Sequence, residues 1–424
     1  MSYKPGDINL GDPDQLLEVG NPPHEYFTVL RNEAPIFWNP APPKDIGGSI
    51  PLERGFWVLS KWEDVSLASR DSSRFSSWLG GPVIYDVELN QDPRNPWTLD
   101  SQRMGLMGKD GQHHAAYRKL VSAGFTPKNI AALKPMITEH AARIVNSVRD
   151  MDDAEFIFTV AAELPMLTLC EMMGVPPSDW NMVFEWGNKA AAVEDPTIDA
   201  GENMAAMVGY FQSLVEEKRR NPDKSMLSSY ANKMIDGERL TDMDINLFCL
   251  TLSIAGHETT RNTTAHVIRL ISEHPEQRSL LMEDLHARLP NAIEETLRFS
   301  PPVMQFRRTA TEDIELRGTR VAKGDKVYLS YASANRDEEV FADSQKFDIL
   351  RTDVAKHLSF GAGPHFCMGN SLARIQLSAI LTELLTVRPD VHVTAPPTKA
   401  RSIWFNAMTA MPVEFGKVAD QVGA

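Results

Sequence analysis

The spacing of apolar residues divides the chain into a long helical part and shorter flanking segments with a strand-like pattern. Between about 112 and 300, apolar residues recur every three or four positions, which is the period of one face of an α-helix. The pattern predicts helices over several segments, including 135–150, 161–173 and 201–219. This part of the chain is therefore predicted to be helical almost throughout.

One of these helices is predicted to be unusually long. Thr241 is a suitable N-cap with Asp244 three residues later, and the helix cannot continue cleanly past His274 and Pro275. Its segment 245–255 is apolar on nearly every side, which is typical of helices inside large proteins. We therefore expect this helix to be buried.

The remaining segments predict small sheets and one terminal helix. Residues near 56–60 and 314–330 have strand character, and the two ends of 314–330 are predicted to pair as a hairpin. The Gly- and Pro-containing stretch 79–111 is predicted to be a long irregular loop, and 368–385 a final apolar helix. Because no repeat or linker interrupts the chain, we expect a single domain, 1–424, that is mostly α with small β-sheets.

Composition and charge exclude several classes of function. The chain has 424 residues and a net charge of -14 without a basic run, which disfavours nucleic-acid binding. The three cysteines Cys170, Cys249 and Cys367 are far apart, so a disulfide scaffold is not expected. No basic and apolar leader and no stretch of roughly 18 apolar residues is present. We expect a cytoplasmic protein that does not enter the membrane.

The segment 360–369 carries the most specific chemistry and reads Phe-Gly-Ala-Gly-Pro-His-Phe-Cys-Met-Gly. Cys367 precedes the final helix, where free N–H groups and the helix dipole favour the thiolate that binds metals. The glycines let a flat ligand approach the backbone, and His365 can reach an anionic edge of that ligand. Taken alone, however, Cys367 favours a buried structural thiol, with a cysteine nucleophile as a further alternative.

A second segment, 255–260, interrupts the apolar pattern of the long helix with the residues Ala-Gly-His-Glu-Thr-Thr. A helical Gly costs about 1 kcal/mol relative to Ala, and a Glu in an apolar helix needs a partner. Thr259 can bond to a helix carbonyl and open the helix locally, and Glu258 beside it can share a water chain toward a cavity. The alternative is that Glu258 has a helical salt-bridge partner and the Thr259 hydroxyl is satisfied.

Two further pairs of polar residues share a helix face. Glu295 and Arg298 stand three residues apart just before the helix ends, and on an arbitrary helix this would be a surface pair of little value. His114 and Arg118 stand four apart and can clamp carboxylates. The neighbouring His113 suggests metal instead, but no third ligand has suitable spacing.

Together these segments resemble the cytochromes P450. The cysteine segment is similar to the haem-binding loop F-x-x-G-x-[HRK]-x-C-x-G of that family, and 255–260 to its A-G-x-[ED]-T-T motif. Glu295 and Arg298 resemble the E-x-x-R pair. His114 and Arg118 resemble the end of D-P-P-x-H-x-x-x-R, although Gly-Gln at 111–112 replaces the two prolines. The four segments follow the family order and cover residues 50–415.

The resemblance implies a cytochrome P450 fold with haem b buried between the long helix and the cysteine loop, and Cys367 as the axial iron ligand. It implies that Glu258 and Thr259 serve oxygen activation, with Glu258 relaying protons. It assigns Glu295 and Arg298 to a structural ion network with a downstream Arg. The residues implied to contact haem are His114, Arg118, Arg308, His365, Phe360, Gly361 and Gly369, with Arg307 as a competitor for the propionate role of Arg308.

The resemblance also implies the reaction, which is insertion of one oxygen atom from O2 into a C–H bond of a terpenoid, steroid or hydrocarbon. Electrons would come from a ferredoxin and its reductase, and we expect a monomer. The expected substrate pocket, for which core packing is the alternative, contains Met104, Leu106, Met107, Ala255, Val303, Met304, Phe306, Trp404 and Phe405. The alternatives are a peroxide-driven peroxygenase and a non-catalytic haem or ligand carrier.

Overall fold

The computed structural model describes residues 3–43, 46, 50–90, 97–191, 195, 197–232, 234–235 and 238–419. Helices dominate these residues, and none of them is long and apolar enough to span a bilayer. In chain order they are α1 Pro13–Val19, α2 His24–Glu33, α3 Trp62–Arg70, α4 Leu99–Met104, α5 Gly111–Val121, α6 Pro127–Ser147, α7 Glu163–Met173, α8 Trp180–Ala191, α9 Ala200–Arg220, α10 Met226–Asn232, α11 Asp242–Glu273, α12 Pro275–Glu283, α13 Leu285–Phe299, α14 Tyr331–Ala334 and α15 Asn370–Val387.

Helix α11 forms the centre of the fold, as the sequence predicts. The Thr241 hydroxyl accepts a hydrogen bond from the backbone N of Asp244 at 3.1 Å, and the Asp244 carboxylate accepts one from the N of Thr241, which closes the capping box. The helix ends at Glu273, before Pro275. It contacts α7, α8, α9, α13 and α15, so most of its side chains are buried.

The strands form one five-stranded sheet and several smaller ones. They are β1 Ile36–Asn39, β2 Phe56–Leu59, β3 Phe75–Ser76, β4 Asp153–Glu155, β5 Met234–Ile235, β6 Glu238–Arg239, β7 Gln305–Ala310, β8 Ile314–Leu316, β9 Thr319–Val321, β10 Lys326–Ser330, β11 His392–Val393, β12 Thr398–Lys399, β13 Met408–Ala410 and β14 Pro412–Glu414. The large sheet has the order β1-β2-β10-β7-β3, in which β10 runs parallel to β2 and antiparallel to β7.

The hairpin predicted between the two ends of 314–330 is wrong in its pairing. Strand β8 pairs with β9, while β10 joins the large sheet between β2 and β7. The reason is local, since Arg317 and Gly318 both have positive φ, at 48° and 77°. Such a two-residue turn closes a hairpin immediately and leaves the downstream strand free to pair elsewhere.

Two boundaries also differ from the prediction. Residues 79–111 include helix α4, whose N-cap Thr98 forms a capping box with Ser101, and positions 91–96 lie outside the described residues. Helix α6 begins at Pro127, capped by Thr126, so Pro135 lies inside the helix instead of starting it. The helices predicted at 201–219 and 368–385 are confirmed within one or two residues as α9 and α15.

Glu295 and Arg298 form a completely buried ion pair in α13. Arg298 Nε and an Nη each lie 2.7 Å from a carboxylate oxygen of Glu295, and both side chains have 0% exposure. The remaining Arg298 donors reach the carbonyl oxygens of Asn335, Ser344 and Lys346. Arg351 adds a second cation, with Nε 3.2 Å from Glu295. The network ties α13 to the 335–351 segment that precedes the cysteine loop.

Candidate functional site

A large cavity lies between α11 and the loop that precedes α15. Its volume is about 1590 Å³, including the part that opens to solvent. Residues of both α11 and the cysteine loop line it, so a ligand bound in the cavity contacts both segments. Predicted site residues that line it are Leu106, Met107, His114, Arg118, Ala255, Thr259, Val303, Phe306, Arg308, Phe360, Gly361, His365, Cys367 and Gly369.

Backbone hydrogen bonds hold Cys367 at the cavity wall. Its N–H donates to the carbonyl of Phe360 at 2.8 Å, which closes the loop. Gly361 and Gly363 have φ of 71° and 67°, a region that favours glycine. At Gly363 a Cβ would also lie 2.7 Å from the Cα of Arg70 in α3, so this glycine permits close packing of the loop. The sequence explained the glycines only by the approach of a flat ligand. The structure shows that they also allow the turn of the loop and its packing against α3.

The expected direction of the Cys367 pKa is wrong for the protein chain by itself. Burial raises the pKa of the thiol above its ordinary value, although backbone N–H groups of Gly369 and Asn370 and the charges of Arg118 and Arg374 act in the opposite direction. Desolvation therefore outweighs the helix terminus. A bound metal cation reverses this balance, because a coordinating thiol is deprotonated outright.

One edge of the cavity collects hydrogen-bond donors. The rings of His114 and His365 stand 4.2 Å apart. Among the described residues His114 Nε2 has no hydrogen-bond partner, and His365 Nε2 lies 3.8 Å from an Asp110 carboxylate oxygen. Arg308 is buried beside them and donates to the carbonyl of Arg307 at 2.7 Å. Burial and the charges of His365 and Arg118 lower the pKa of His114 to about 4. Such a cluster fits an anionic group, as the propionates of haem are.

Strand alternation places Arg307 and Arg308 on opposite faces of β7. In β7, Phe306 and Arg308 point to the cavity face, and Arg307 points to the other face. There Arg307 donates to the Tyr85 carbonyl at 2.8 Å and lies 3.3 Å from Glu88. Arg307 is thus occupied elsewhere, and Arg308 is available to the cavity.

The helix that carries His114 and Arg118 begins differently from the family pattern. Gly111 has a φ of 54°. Proline cannot adopt this angle, which explains why a glycine stands at 111 in place of the proline of the family pattern. Asp110 does not cap the helix, since its carboxylate accepts from Ser76 and from the backbone of Ser77 and Trp78. Both predicted side chains still reach the cavity, and Arg118 also donates to the Pro364 and Phe366 carbonyls.

Glu258 and Thr259 take the alternative arrangement that their sequence context allows. The Glu258 carboxylate lies 2.6 Å from Arg261 and 3.2 Å from Asn262, and it does not line the cavity. Arg261 in turn donates to Asn188 of α8 at 2.9 Å. The Thr259 hydroxyl lines the cavity and donates to the carbonyl of Ala255 at 2.8 Å. The Glu258 carboxylate is therefore turned toward Arg261 and away from the cavity.

Four residues of the expected substrate pocket do not line the cavity. Trp404 and Phe405 are buried core residues, and Trp404 packs edge-on against Phe306, which does line it. Met304 has 1% exposure and belongs to the core, while Met104 faces solvent from α4. Apolar character alone does not separate a cavity wall from the layer behind it.

Sequence reasoning missed part of the α11 wall. Further residues that line the cavity are Phe248, Thr251, Leu252, Gly256, Thr260 and Thr263. Because the helix is apolar on nearly every side, hydrophobic periodicity does not mark its cavity face. A weaker signal was present, since Thr251, Ala255, Thr259 and Thr263 repeat every four residues and form one stripe of small or hydroxyl side chains.

Comparisons with known proteins identify the family of this chain. The cytochrome P450 family model matches residues 196–387. A steroid C26-monooxygenase of Rhodococcus jostii is 36% identical, covering 97% of this chain and 85% of the relative. A methyl-branched lipid omega-hydroxylase of Mycobacterium tuberculosis is 37% identical, covering 96% and 94%. A solved Mycobacterium marinum cytochrome P450 with pseudoionone superposes with a TM-score of 0.87 at 31% identity, covering 98% of this chain and 100% of the other.

The fold is helical, and it presents one cysteine to a large apolar cavity beside donors for an anion. These features define a haem-thiolate protein with haem b as its cofactor. The chain belongs to the cytochrome P450 family. It is a monooxygenase that uses O2 to hydroxylate hydrophobic substrates.

Proposed function

We propose that this enzyme hydroxylates a terminal carbon of an aliphatic chain in a steroid or a methyl-branched lipid. The two curated relatives are named for C26 of a steroid and for the omega end of a methyl-branched lipid. The observation that carries the proposal is that Cys367 and Thr259 line the same cavity, whose other wall residues are largely apolar. An alkyl chain end gains free energy by leaving water for such a wall.

The proposal assigns the haem contacts to the residues at the cavity edge. Cys367 Sγ would bind the haem iron, and His114, Arg118, Arg308 and His365 would hold the propionates. Phe360, Gly361 and Gly369 form the surface against which the macrocycle packs. When bound, haem with a thiolate ligand supplies the activation of O2. The buried His114 Nε2, which has no hydrogen-bond partner among the described residues, supports this assignment.

Thr259 is proposed to hold a proton at its Oγ1 beside the cavity, and Glu258 to resupply it. In the arrangement described above, Glu258 is paired with Arg261, which is itself fastened to Asn188 of α8. The carboxylate can turn toward Thr259 only when the Arg261 pair opens. Proton supply therefore depends on a side-chain rearrangement between α11 and α8.

The first prediction concerns haem retention. Arg308→Met removes a buried cation that faces the propionates, so we expect haem to leave the protein at least about ten times faster, because charge-assisted hydrogen bonds contribute roughly 1.5–3 kcal/mol. Haem transfer to apomyoglobin measures the rate. Arg308→Lys keeps the charge, so its rate of haem loss should lie between the rates of wild type and Arg308→Met. Equal rates for wild type and Arg308→Met would remove Arg308 from the proposed haem site.

We further propose that a ferredoxin and its reductase supply the electrons. Lys119 is exposed on α5, next to Arg118, which binds the cysteine loop, and it offers a positive charge on this face to an acidic partner. Arg374, which is also near the cysteine loop, is less suitable because its guanidinium is paired with Glu294 at 2.6 and 2.8 Å. A single domain over 1–424, a monomer and a cytoplasmic location complete the proposal. The free state of all three cysteines supports the last point.

Turnover of defined substrates tests the function. With NADH, reductase and ferredoxin, we expect a steroid bearing an alkyl side chain and a methyl-branched lipid to give terminal alcohols, identified by mass spectrometry. Hydrogen peroxide without the redox partners is the control, and it should give little product if electrons come from ferredoxin. Product hydroxylated on the steroid rings or in mid-chain, or equal yields with peroxide, would contradict the proposal.

A further inference from the structure

Thr251 stands apart among the hydroxyl residues of α11. Thr259 and Thr263, which also line the cavity, donate to the carbonyls four residues earlier, at 2.8 Å in both cases. Thr251 lines the cavity as well, but the structure gives its hydroxyl no partner among the described residues. The Thr260 hydroxyl likewise has no partner among the described residues, but Thr260 is adjacent to Thr259. Thr251 is about two helical turns away from Thr259.

The surroundings of Thr251 are apolar. On α11 its cavity-lining neighbours are Phe248 and Leu252, and Leu106 approaches from the segment after α4. Gly105 also lies near the hydroxyl, since a Cβ there would be 3.8 Å from the Thr251 Oγ1, an ordinary van der Waals contact. A ligand in this part of the cavity therefore meets one hydrogen-bonding group in an apolar wall.

The position of Thr251 separates its role from catalysis. Eight residues of α-helix place it about 12 Å along the axis from Thr259. A group at that distance binds the far part of a substrate whose reacting carbon lies beside Thr259. In apolar sites a few placed polar groups fix the orientation of the ligand.

We propose that Thr251 is a specificity-determining residue that hydrogen-bonds a neutral oxygen, a ketone or a hydroxyl, at the end of the substrate remote from the oxidised carbon. The inference rests on the proposed function and names the second feature that the substrate must have. A hydroxyl can donate to a ketone and can donate to or accept from an alcohol. A carboxylate fits less well, because an unpaired charge in apolar surroundings is costly.

Two ligand pairs test the inference on the haem-loaded enzyme. Each pair differs in one oxygen: a steroid 3-ketone and its 3-deoxy analogue, and a methyl-branched long-chain alcohol and the matching alkane, all delivered in cyclodextrin. Calorimetry gives the dissociation constant of each. The quantity of interest is the preference for the oxygen-bearing member, compared between variants, because this ratio cancels the general difference in hydrophobicity within a pair.

Thr251→Val removes the hydroxyl at nearly constant shape, and we expect the preference to fall about fivefold to tenfold in at least one pair, the effect of one lost hydrogen bond. Thr251→Ser should retain the preference. Ser253→Ala is the matched control. It removes a hydroxyl from the same turn that is buried, bonded to the Cys249 carbonyl at 2.9 Å and absent from the cavity wall.

An unchanged preference in Thr251→Val, or a wild-type enzyme that binds neither oxygen-bearing ligand, overturns the inference. The proposed function fails by a different observation, namely wild-type enzyme that oxidises these ligands away from the chain end. In that case the binding ratios still decide the role of Thr251. The two conclusions are therefore tested separately.

Discussion

Cys367→Ser is expected to abolish thiolate ligation and to reduce hydroxylation by about a hundredfold or more, which corresponds to roughly 3 kcal/mol in the activation barrier. A thiolate pushes electron density toward the iron. A serine oxygen is a harder ligand and donates far less electron density. The measurement is the absorption spectrum of the reduced, carbon monoxide-exposed protein. Wild type should give the strongly red-shifted band of a thiolate-ligated haem, and the variant should lack it.

The substitution should leave the fold intact. The loop around Cys367 is held by the hydrogen bond from its backbone N to Phe360 and by Arg118, which donates to two loop carbonyls, and neither contact uses the sulfur. Cys170→Ser in α7 is the control, because the cysteine is buried but absent from the cavity wall. A red-shifted band that persists in Cys367→Ser would show that another residue ligates the iron.

Breaking the buried ion pair of α13 should have the largest effect on stability. Glu295→Gln leaves Arg298 and Arg351 without their carboxylate in a site with no solvent exposure for Arg298. Removing one partner of a buried pair costs about 3–5 kcal/mol, a large part of the free energy of unfolding of an ordinary domain. We expect little folded, haem-containing protein, measured by haem content and by urea unfolding.

An exposed pair provides the matched control. Glu185 and Lys189 in α8 lie 3.8 Å apart with most of the Glu185 side chain in solvent, so Glu185→Gln should cost less than about 0.5 kcal/mol. Because both variants lose the same carboxylate, the difference between their free energies of unfolding measures the effect of burial. If Glu295→Gln unfolds at the same urea concentration as Glu185→Gln, the network does not stabilise the fold and its assignment must be revised.

Local sequence rules were sufficient for the features that short segments of chain determine. Thr241 and Asp244 predicted the start of α11 because a capping box needs residues only three positions apart. The cysteine loop and the Glu295–Arg298 network were recognised through the family resemblance, because spacing alone favoured a structural thiol and a surface pair. The resemblance also implied a downstream Arg in the network, and the structure identifies it as Arg351.

Other features depend on contacts between distant segments. The positive-φ turn at Arg317 and Gly318 pairs β8 with β9. Strand β10 pairs instead with β2, which is distant in the chain, and with β7. Had 305–310 been predicted as a strand, alternation would have grouped Arg308 with Phe306, and Arg307 on the opposite face. The cavity wall was predicted well at Leu106, Met107 and Val303 but not at Trp404, which packs one layer behind.

The sequence by itself determined the family and the central helix, because these rest on residue types at fixed short spacing. Through the family resemblance it also implied the role of Cys367 and the Glu295–Arg298 ion network. The tertiary structure decided which of these groups face the cavity and how they are paired. It raised the pKa of Cys367 through burial, turned Glu258 toward Arg261 and left the Thr251 hydroxyl open. Burial and pairing arise from distant segments brought together, and spacing along the chain does not record which face of a buried helix meets which neighbour.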